Sequence, residues 1–269
     1  MKYKYVVGVI ATLCLSACVE IRDKEEEQEV LVYSASNITI DEPYVLVDGD
    51  LIPVRSLSQN VRHLYVDSQK PFEVHLDNLT FKPGGVIYTM GYNVSFNVGN
   101  MITQGGLITS FPEGHQAQGG ADGVGGGRLE LNIQHARGEL KVIMVGESGA
   151  NGLSGNAPDE ALQAKPNPAM ICNKGLPGYP GGNGTSGGSS GTLEISVEDD
   201  SNFELSVKVQ SGRGGLPGKG GQGGNPFPYN GCFPQHIGMQ GPDGAAGKEG
   251  ALEPHCVKLG DRERICKYK

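Results

Sequence analysis

An all-β fold is the class that this sequence predicts: a β-solenoid-like or stacked β-hairpin body with glycine-rich segments of polyproline II type between the β units. Two observations predict it. Short apolar runs alternate with polar residues at period two, which places the apolar side chains of each run on one face of a strand. Glycine recurs at every third position in five blocks, and three is the number of residues per turn of the polyproline II helix.

The 269 residues divide by composition near residue 105. Six of the 43 glycines precede that position, and the other 37 lie at it or after it. Tryptophan is absent, so a core must be built mainly from Val, Ile and Leu in narrow β layers. We expect a β-rich N-terminal region over 30–104, repeated β units with glycine-triplet segments over 105–255, and a disulfide-closed tail over 256–269.

The β units repeat along the chain. Residues 128–146 and 192–212 align with each other, and each contains two alternating runs separated by a short polar turn. Such a unit buries only one face, so units must stack to form a core. Stacked rungs of a β-solenoid are the most economical arrangement. β-Hairpins that turn at 134–139 and 198–202 are the alternative.

The glycine blocks hold their period of three over several triplets. The Cβ-free edge of a polyproline II helix lets neighbouring backbones approach closely, and packed neighbours can exchange the N–H and C=O bonds that one such helix cannot make alone. We therefore expect an ordered polyglycine-II-like bundle, with a flexible low-complexity linker as the alternative. The blocks begin at Gly114, Gly146, Gly175, Gly212 and Gly238.

The N-terminus has the features of an export signal. Lys2 and Lys4 precede an apolar run over 5–15, which is too short for a permanent membrane span. The residues LSAC that end at Cys18 resemble the lipobox of bacterial lipoproteins. An ordinary cleaved signal with an incidental cysteine is the simpler alternative.

The lipobox resemblance implies a signal peptide over 1–17, lipidation of Cys18, and a lipidated acidic tether over 18–29. Val19 rather than aspartate follows the cysteine, which implies the outer membrane of a Gram-negative envelope. The formal net charge of −8 becomes about −10 once the two leader lysines are removed. Nucleic acid is excluded as a partner, since phosphate binding needs a basic surface.

The combination of glycine triplets and β units over 105–250 resembles collagen-like and polyglycine-II-bearing surface proteins of bacteria and the tip adhesins of some phages. This resemblance implies a rigid, exposed scaffold whose loops contact a partner. It carries no family active site to this chain. A homotrimeric collagen-like stalk is a further alternative, although blocks of four or five triplets are short for a triple helix.

Four cysteines remain after the lipidation site, and an even number in an exported chain predicts two disulfides. We favour one bond that joins the glycine-rich excursions and one that closes a short loop in the tail. His236 and His255, close to two of these cysteines, complete the ligand types of a zinc site, but exported cysteines more often pair, so we expect no metal and no cofactor. The favoured pairs are Cys172 with Cys232 and Cys256 with Cys266.

Glu130 and Glu194 occupy equivalent outward positions in the aligned units. On adjacent rungs they would stand about 4.8 Å apart, close to the roughly 5 to 5.5 Å between the carboxyl groups of retaining glycosidases. A polysaccharide-active β-solenoid enzyme is therefore an alternative function. A solvated, charge-balanced face is the simpler interpretation, because Arg128, Lys141 and Lys208 lie nearby in sequence.

We expect a membrane-anchored bacterial surface lipoprotein that acts as a non-enzymatic structural or adhesive module. Envelope glycans, an extracellular matrix or another surface protein are the expected partners. The connections 156–174 and 225–237 would carry the contacts, because Phe227, Tyr229 and Phe233 offer aromatic faces there. Local packing beside a cysteine is the other interpretation of these aromatic side chains.

Overall fold

The computed structural model describes residues 30–47, 50–57, 71–159, 175–225 and 237–267. Within these ranges the chain forms eleven strands and one short 3₁₀ turn, Val54–Ser56. The predicted all-β class is confirmed. The strands are β1 Leu31–Ile40, β2 Pro43–Val47, β3 Asp50–Pro53, β4 Phe72–Phe81, β5 Val86–Tyr88, β6 Val94–Thr109, β7 Arg128–Val145, β8 Thr192–Asp199, β9 Phe203–Gln210, β10 His255–Leu259 and β11 Ile265–Lys267.

Parallel pairing joins each β unit to the next. β1 pairs with β4, β4 with β6, β6 with β7, β7 with β8, and β8 with β10, all in parallel. β5 and β9 pair in parallel with the second halves of β6 and β7. This arrangement is that of a β-solenoid, in which one unit forms one rung and each rung returns to the same starting edge.

The alternative with turns at 134–139 and 198–202 predicted hairpins, and the strand pairing shows otherwise. The first turn region lies inside the continuous strand β7, and β8 and β9 both pair with β7 rather than with each other. Antiparallel pairing occurs only where β2 meets β3 and where β10 meets β11, among the described residues. A parallel stack buries the apolar column of every rung against the next, which an isolated hairpin cannot do.

Columns of apolar side chains in register form the core. One column contains Val74, Phe96, Leu131 and Ile195, each of which is at most 1% exposed. Each such side chain contributes roughly 1.5 to 3 kcal/mol by leaving water. The alternation that predicted the strands therefore marks the inward face of every rung.

The change in composition at residue 105 falls inside β6 and does not separate two sheets. The pairing of β6 with β7 shifts register between Gln104 and Gly106. Between them Gly105 has a φ of +86°, a conformation that suits glycine at a bulge. The strand thus bends and continues, and both of its halves belong to one hydrophobic core.

The tail extends the solenoid. β10 continues the parallel stack beside β8, and β11 turns back along it. Cys256 and Cys266 face each other across this last pair and are joined by a disulfide. This is the tail pairing favoured from the sequence, and it fastens the final strand to the last rung.

The five glycine segments form one hydrogen-bonded bundle. We number them I (residues 110–127), II (146–159), III (175–191), IV (211–225) and V (237–254). Segment III lies at the centre, because it bonds to the backbone of all four others. Its contacts repeat every three residues; Gly178, Gly181, Gly184 and Gly187, for example, donate to carbonyls of segment V at 2.8 to 2.9 Å.

The remaining ladders follow the same period. Segment III donates to segment II from Tyr179, Gly182, Thr185 and Gly188, and accepts from segment IV at every third residue from Gly212 to Gly224. Prolines fit between these donors because they lack an N–H. Pro242, for example, only accepts, from the N–H of Gly181 at 2.9 Å. The ladders are those expected of a polyglycine-II-like bundle.

Polar side chains satisfy some of the remaining backbone N–H groups of the bundle. Asn151 accepts from Leu216 N–H and Asn183 accepts from Ala245 N–H, both at 2.8 Å. A short amide side chain at a non-glycine position therefore bonds the neighbouring segment instead of projecting freely. The interior of the bundle is backbone, and most side chains between the buried glycines face outward.

Candidate functional site

The end of the bundle away from the solenoid brings segments III, IV and V together. Gly224 N–H donates to the carbonyl of Leu176 at 2.8 Å, and Gly238 N–H donates to the carbonyl of Gly224 at 2.9 Å. Leu176 lies two positions after the range 160–174, and Gly224 and Gly238 lie two positions before and after the range 226–236; both ranges are outside the described residues. The residues that follow the predicted connection 156–174 and those that flank the predicted connection 225–237 therefore lie together at one end of the bundle.

Several predicted site residues lie outside the described part of the chain. The lipidation site and the first disulfide pair are among them, as are the three contact aromatics. The predicted lipidation, disulfide and partner contacts of these residues therefore remain predictions. The residues concerned are Cys18, Cys172, Cys232, Phe227, Tyr229 and Phe233.

Large apolar side chains project from the bundle. Leu153 is 82% exposed, Leu216 and Met239 are each 67% exposed, and Tyr179 is 49% exposed. The bundle interior is filled by backbone, so a side chain between two glycines has no core to enter. Nothing in the architecture requires these positions to be apolar, which makes them candidates for contact with a partner. They stand singly inside polar, glycine-rich stretches, so no pattern in the sequence indicates them.

The two predicted carboxylates, Glu130 and Glu194, lie side by side in register on β7 and β8. Arg128 lies 3.2 Å from Glu130 and 3.7 Å from Glu194, and Arg264 lies 2.7 Å from Glu194. Arginine side chains therefore balance both charges on an accessible surface. Arg264 comes from the tail, whose proximity no pattern in the sequence indicated.

A buried contact between a histidine and a carboxylate joins segment I to segment II. His115 Nδ1 lies 3.0 Å from Glu147 Oε1, and both side chains are less than 10% exposed. The contact does not have the geometry of a hydrogen bond. Glu147 also accepts the N–H of Val124 at 2.9 Å, and the imidazole stacks on Phe111 with ring centroids 5.0 Å apart. These groups fix the base of the bundle where it leaves β6 and β7.

A hydrogen-bonded aspartate marks the turn between β8 and β9. The Ser201 hydroxyl donates to Asp199 at 2.6 Å, the Ser201 N–H donates at 3.1 Å, and His135 lies 3.3 Å away. The serine hydroxyl first, and then the N–H and the histidine, lower the pKa of Asp199 to about 2. These bonds favour the ionised form, as expected of a turn-stabilising carboxylate.

The described residues contain no group of three or more His, Cys, Asp or Glu side chains placed to hold a metal ion. Cys256, one of the residues considered for zinc, is bonded to Cys266. Burial and the charge of Lys267 lower the pKa of the adjacent His255.

Across the same described ranges, no helix has the length and apolar character needed to cross a membrane.

Comparison with known proteins finds no match to a protein-family model, a curated protein or a solved structure.

Proposed function

We propose that this chain is a lipid-anchored lipoprotein of a bacterial envelope, most consistent with the outer membrane, in which the glycine bundle is a rigid, non-catalytic arm for adhesion or assembly. The observation that carries the proposal is the period-three hydrogen bonding of segment III to all four other segments. Glycine loses more conformational entropy on folding than any other residue, so ordering so many glycines is costly. A rigid projection is a use that requires this order.

The ends of the bundle segments support a role in contact. Gly175 and Gly238 meet at the end remote from the solenoid, next to Gly224. These residues flank the predicted connections 156–174 and 225–237. With the exposed Tyr179 and Met239 nearby along the chain, this end is the surface we assign to an envelope glycan, a matrix component or another surface protein.

Attachment of protein-coated beads to bacterial and host-matrix surfaces tests the adhesive role. Replacing Phe227, Tyr229 and Phe233 by serine should reduce attachment, because aromatic faces supply much of the contact energy at such sites. Serine at Ile102 and Val32, which are exposed on the solenoid, is the matched control. Equal attachment by both sets of variants, with the fold intact, would reject the proposed contact surface.

Membrane fractionation tests the anchor. The Cys18→Ser chain should leave the membrane fraction and lose incorporation of labelled palmitate, because a cysteine thiol is the acceptor in lipoprotein processing. Cys256→Ser together with Cys266→Ser removes the tail disulfide and should leave fractionation unchanged. A Cys18→Ser chain that stays in the membrane fraction would contradict lipid anchoring.

The alternative enzymatic function has one favourable observation, the register pairing of Glu130 with Glu194. Their ion pairs with Arg128 and Arg264 favour a structural role instead. Glu130→Gln and Glu194→Gln decide between the two on a panel of polysaccharides. Hydrolysis by the wild-type chain that both variants lose would establish the enzyme and overturn the non-catalytic proposal.

A further inference from the structure

An open groove of about 740 Å³ crosses the outer surface of the solenoid. One polar residue from each of five rungs lines it, and these residues lie in register along the stack. We propose that this groove binds an extended, uncharged polysaccharide chain that runs across the rungs. The inference does not depend on the bundle being an adhesive arm. The column consists of Ser34, His75, Asn97, Asn132 and Ser196.

The groove exists because the rungs turn a corner beside this column. The inward and outward alternation of the strands breaks at two consecutive solvent-facing residues, such as Asp77 and Asn78 on β4 or Gln134 and His135 on β7. Asp77 and Gln134 line the groove together with Gly99. Gly99 allows close approach of the neighbouring rung, because a Cβ at this position would lie 2.7 Å from the backbone oxygen of Asp77.

A neighbouring column shows what a purely structural polar ladder looks like. At the corner, Asn78 donates to Asn37 at 2.9 Å and Asn100 donates to Asn78 at 3.1 Å, so these amides bond one another from rung to rung. In the groove column only Asn132 and Asn97 are joined in this way, at 3.3 Å. The two columns therefore differ in how much of their bonding capacity the protein uses.

Several groove side chains have hydrogen-bonding groups that no described residue uses, so these groups can bind a ligand. Within the described residues, the side chains of Ser34, Gln134 and Ser196 make no hydrogen bond to protein. Hydroxyl and amide groups both donate and accept, and so do the hydroxyls of sugars. The column therefore presents repeated, uncharged partners for a hydroxyl-rich chain.

The spacing of the column suits a polymer rather than a single sugar. Neighbouring rungs lie about 4.8 Å apart, so five rungs span roughly 19 Å. A sugar ring is close to one rung spacing in length, and an extended chain can place successive rings on successive rungs. Among the described residues that line the groove, none is Phe, Tyr or Trp, so each sugar ring is held weakly and affinity must grow with chain length.

The charge of the groove selects against polyanions. Asp77 and Glu198 line it with negative charge. No Lys or Arg is among the described lining residues, and the Nε2 of the lining residue His75 lies 3.3 Å from Glu73. A chain of uronic acids or phosphates would meet like charge along the groove, whereas an uncharged chain would not.

Affinity electrophoresis and calorimetry with the full-length chain test the proposal. The probes are a soluble β-1,4-glucan, a soluble α-1,4-glucan and, as the polyanion, polygalacturonate. We expect binding to at least one neutral glucan and tighter binding of its longer oligosaccharides. Asn97→Ala with Asn132→Ala should weaken that binding about tenfold, since two net hydrogen bonds are lost.

Gln104→Ala is the matched control, because Gln104 is an exposed amide on the same strand, β6, outside the groove. It should bind as the wild type does. If the double variant unfolds, Ser34→Ala with Gln134→Ala repeats the test on side chains that bond no described residue. No binding of either glucan, unchanged binding by a folded groove variant, or tighter binding of polygalacturonate would overturn the proposal. Serine variants of Phe227, Tyr229 and Phe233 should leave glucan binding intact, which separates this site from the adhesive one.

Discussion

His115 and Glu147 are the residues at which a single side chain should matter most for stability. Both are buried, and their contact links segment I to segment II. Glu147→Ala leaves the imidazole without its carboxylate and Val124 N–H without its acceptor. Loss of the acceptor of such an N–H costs about 1 to 3 kcal/mol, and chemical denaturation should show a loss of that order.

Glu113→Ala is the control for this prediction, because Glu113 is exposed two residues before the histidine. Its free energy of unfolding should stay within about 0.5 kcal/mol of the wild-type value. A loss no larger for Glu147→Ala than for Glu113→Ala would show that the contacts of Glu147 do not hold the base of the bundle.

Asp199 should make stability depend on acid pH. Its pKa is lowered to about 2 in the folded chain by Ser201 and His135, whereas an aspartate in an unfolded chain titrates near 3.9. The unfolded state therefore binds more protons between these values. The contribution of Asp199 is fully present above about pH 4 and is lost as the pH falls through about 2.

The Asp199→Asn chain provides the test of this pH dependence. Its unfolding free energy, measured by denaturant titration across the acid range, should fall less steeply than that of the wild type between about pH 4 and 2. Asp261→Asn, at an exposed position in the tail, serves as the control. Identical slopes for wild type and Asp199→Asn would contradict the assigned hydrogen bonds.

At the scale of the elements, Gly181 and Gly182 form a matched pair on segment III. A Cβ at Gly181 would lie 2.5 Å from the backbone carbon of Gly218, whereas the nearest atom to a Cβ at Gly182 is Leu153 N at 3.1 Å. Gly181→Ala should destabilise by roughly 1 to 3 kcal/mol through overpacking. Gly182→Ala should change stability by less than about 1 kcal/mol, because alanine also restricts the unfolded chain.

Thermal unfolding of the two variants checks this difference directly. A bundle held by backbone contact requires the larger loss at Gly181. Equal changes at both positions would mean that the glycine period does not reflect close approach of the segments, and a loose linker would then describe segment III better.

The elements that the sequence predicted best are those with a strict period. Alternation placed Leu131 and Ile195 on buried faces, and the glycine period predicted the ladder around Gly181. Both signals are local, because one strand or one helix repeats the same contact at fixed spacing. The choice between a solenoid and hairpins was not local, since it depends on which strand lies beside β7.

Contacts between distant segments also explain what the sequence did not predict. Arg264 lies against Glu194 from 70 residues away, and the groove forms only when five rungs stack. The serines and asparagines that line it are unremarkable in sequence. The feature that they share is that they lie in register on neighbouring rungs. The sequence repeat between 128–146 and 192–212 aligns Asn132 with Ser196, but no repeat aligns the residues of the other three rungs.

At the scale of the whole molecule, two different interiors share one chain. The solenoid buries apolar columns that end at the outermost rungs, whereas the bundle buries mainly backbone and leaves most of its side chains outside. The two meet where β6 and β7 pass into segments I and II, beside Phe111 and Glu147. Hydrophobic burial stabilises the first. In the second, satisfied N–H groups must offset the entropy of ordered glycine, so the bundle depends on the solenoid to align its five segments.

This dependence predicts a monomer rather than a collagen-like trimer. A triple helix needs one glycine N–H per triplet for bonds between chains, but Gly215, Gly218 and Gly221 donate theirs to segment III of the same chain. Sedimentation of the unlipidated Cys18→Ser chain should therefore give the mass of one chain, with no change on dilution. A stable trimer whose dissociation coincides with melting of the glycine segments would show that the triplets pair between chains and would contradict the intramolecular bundle.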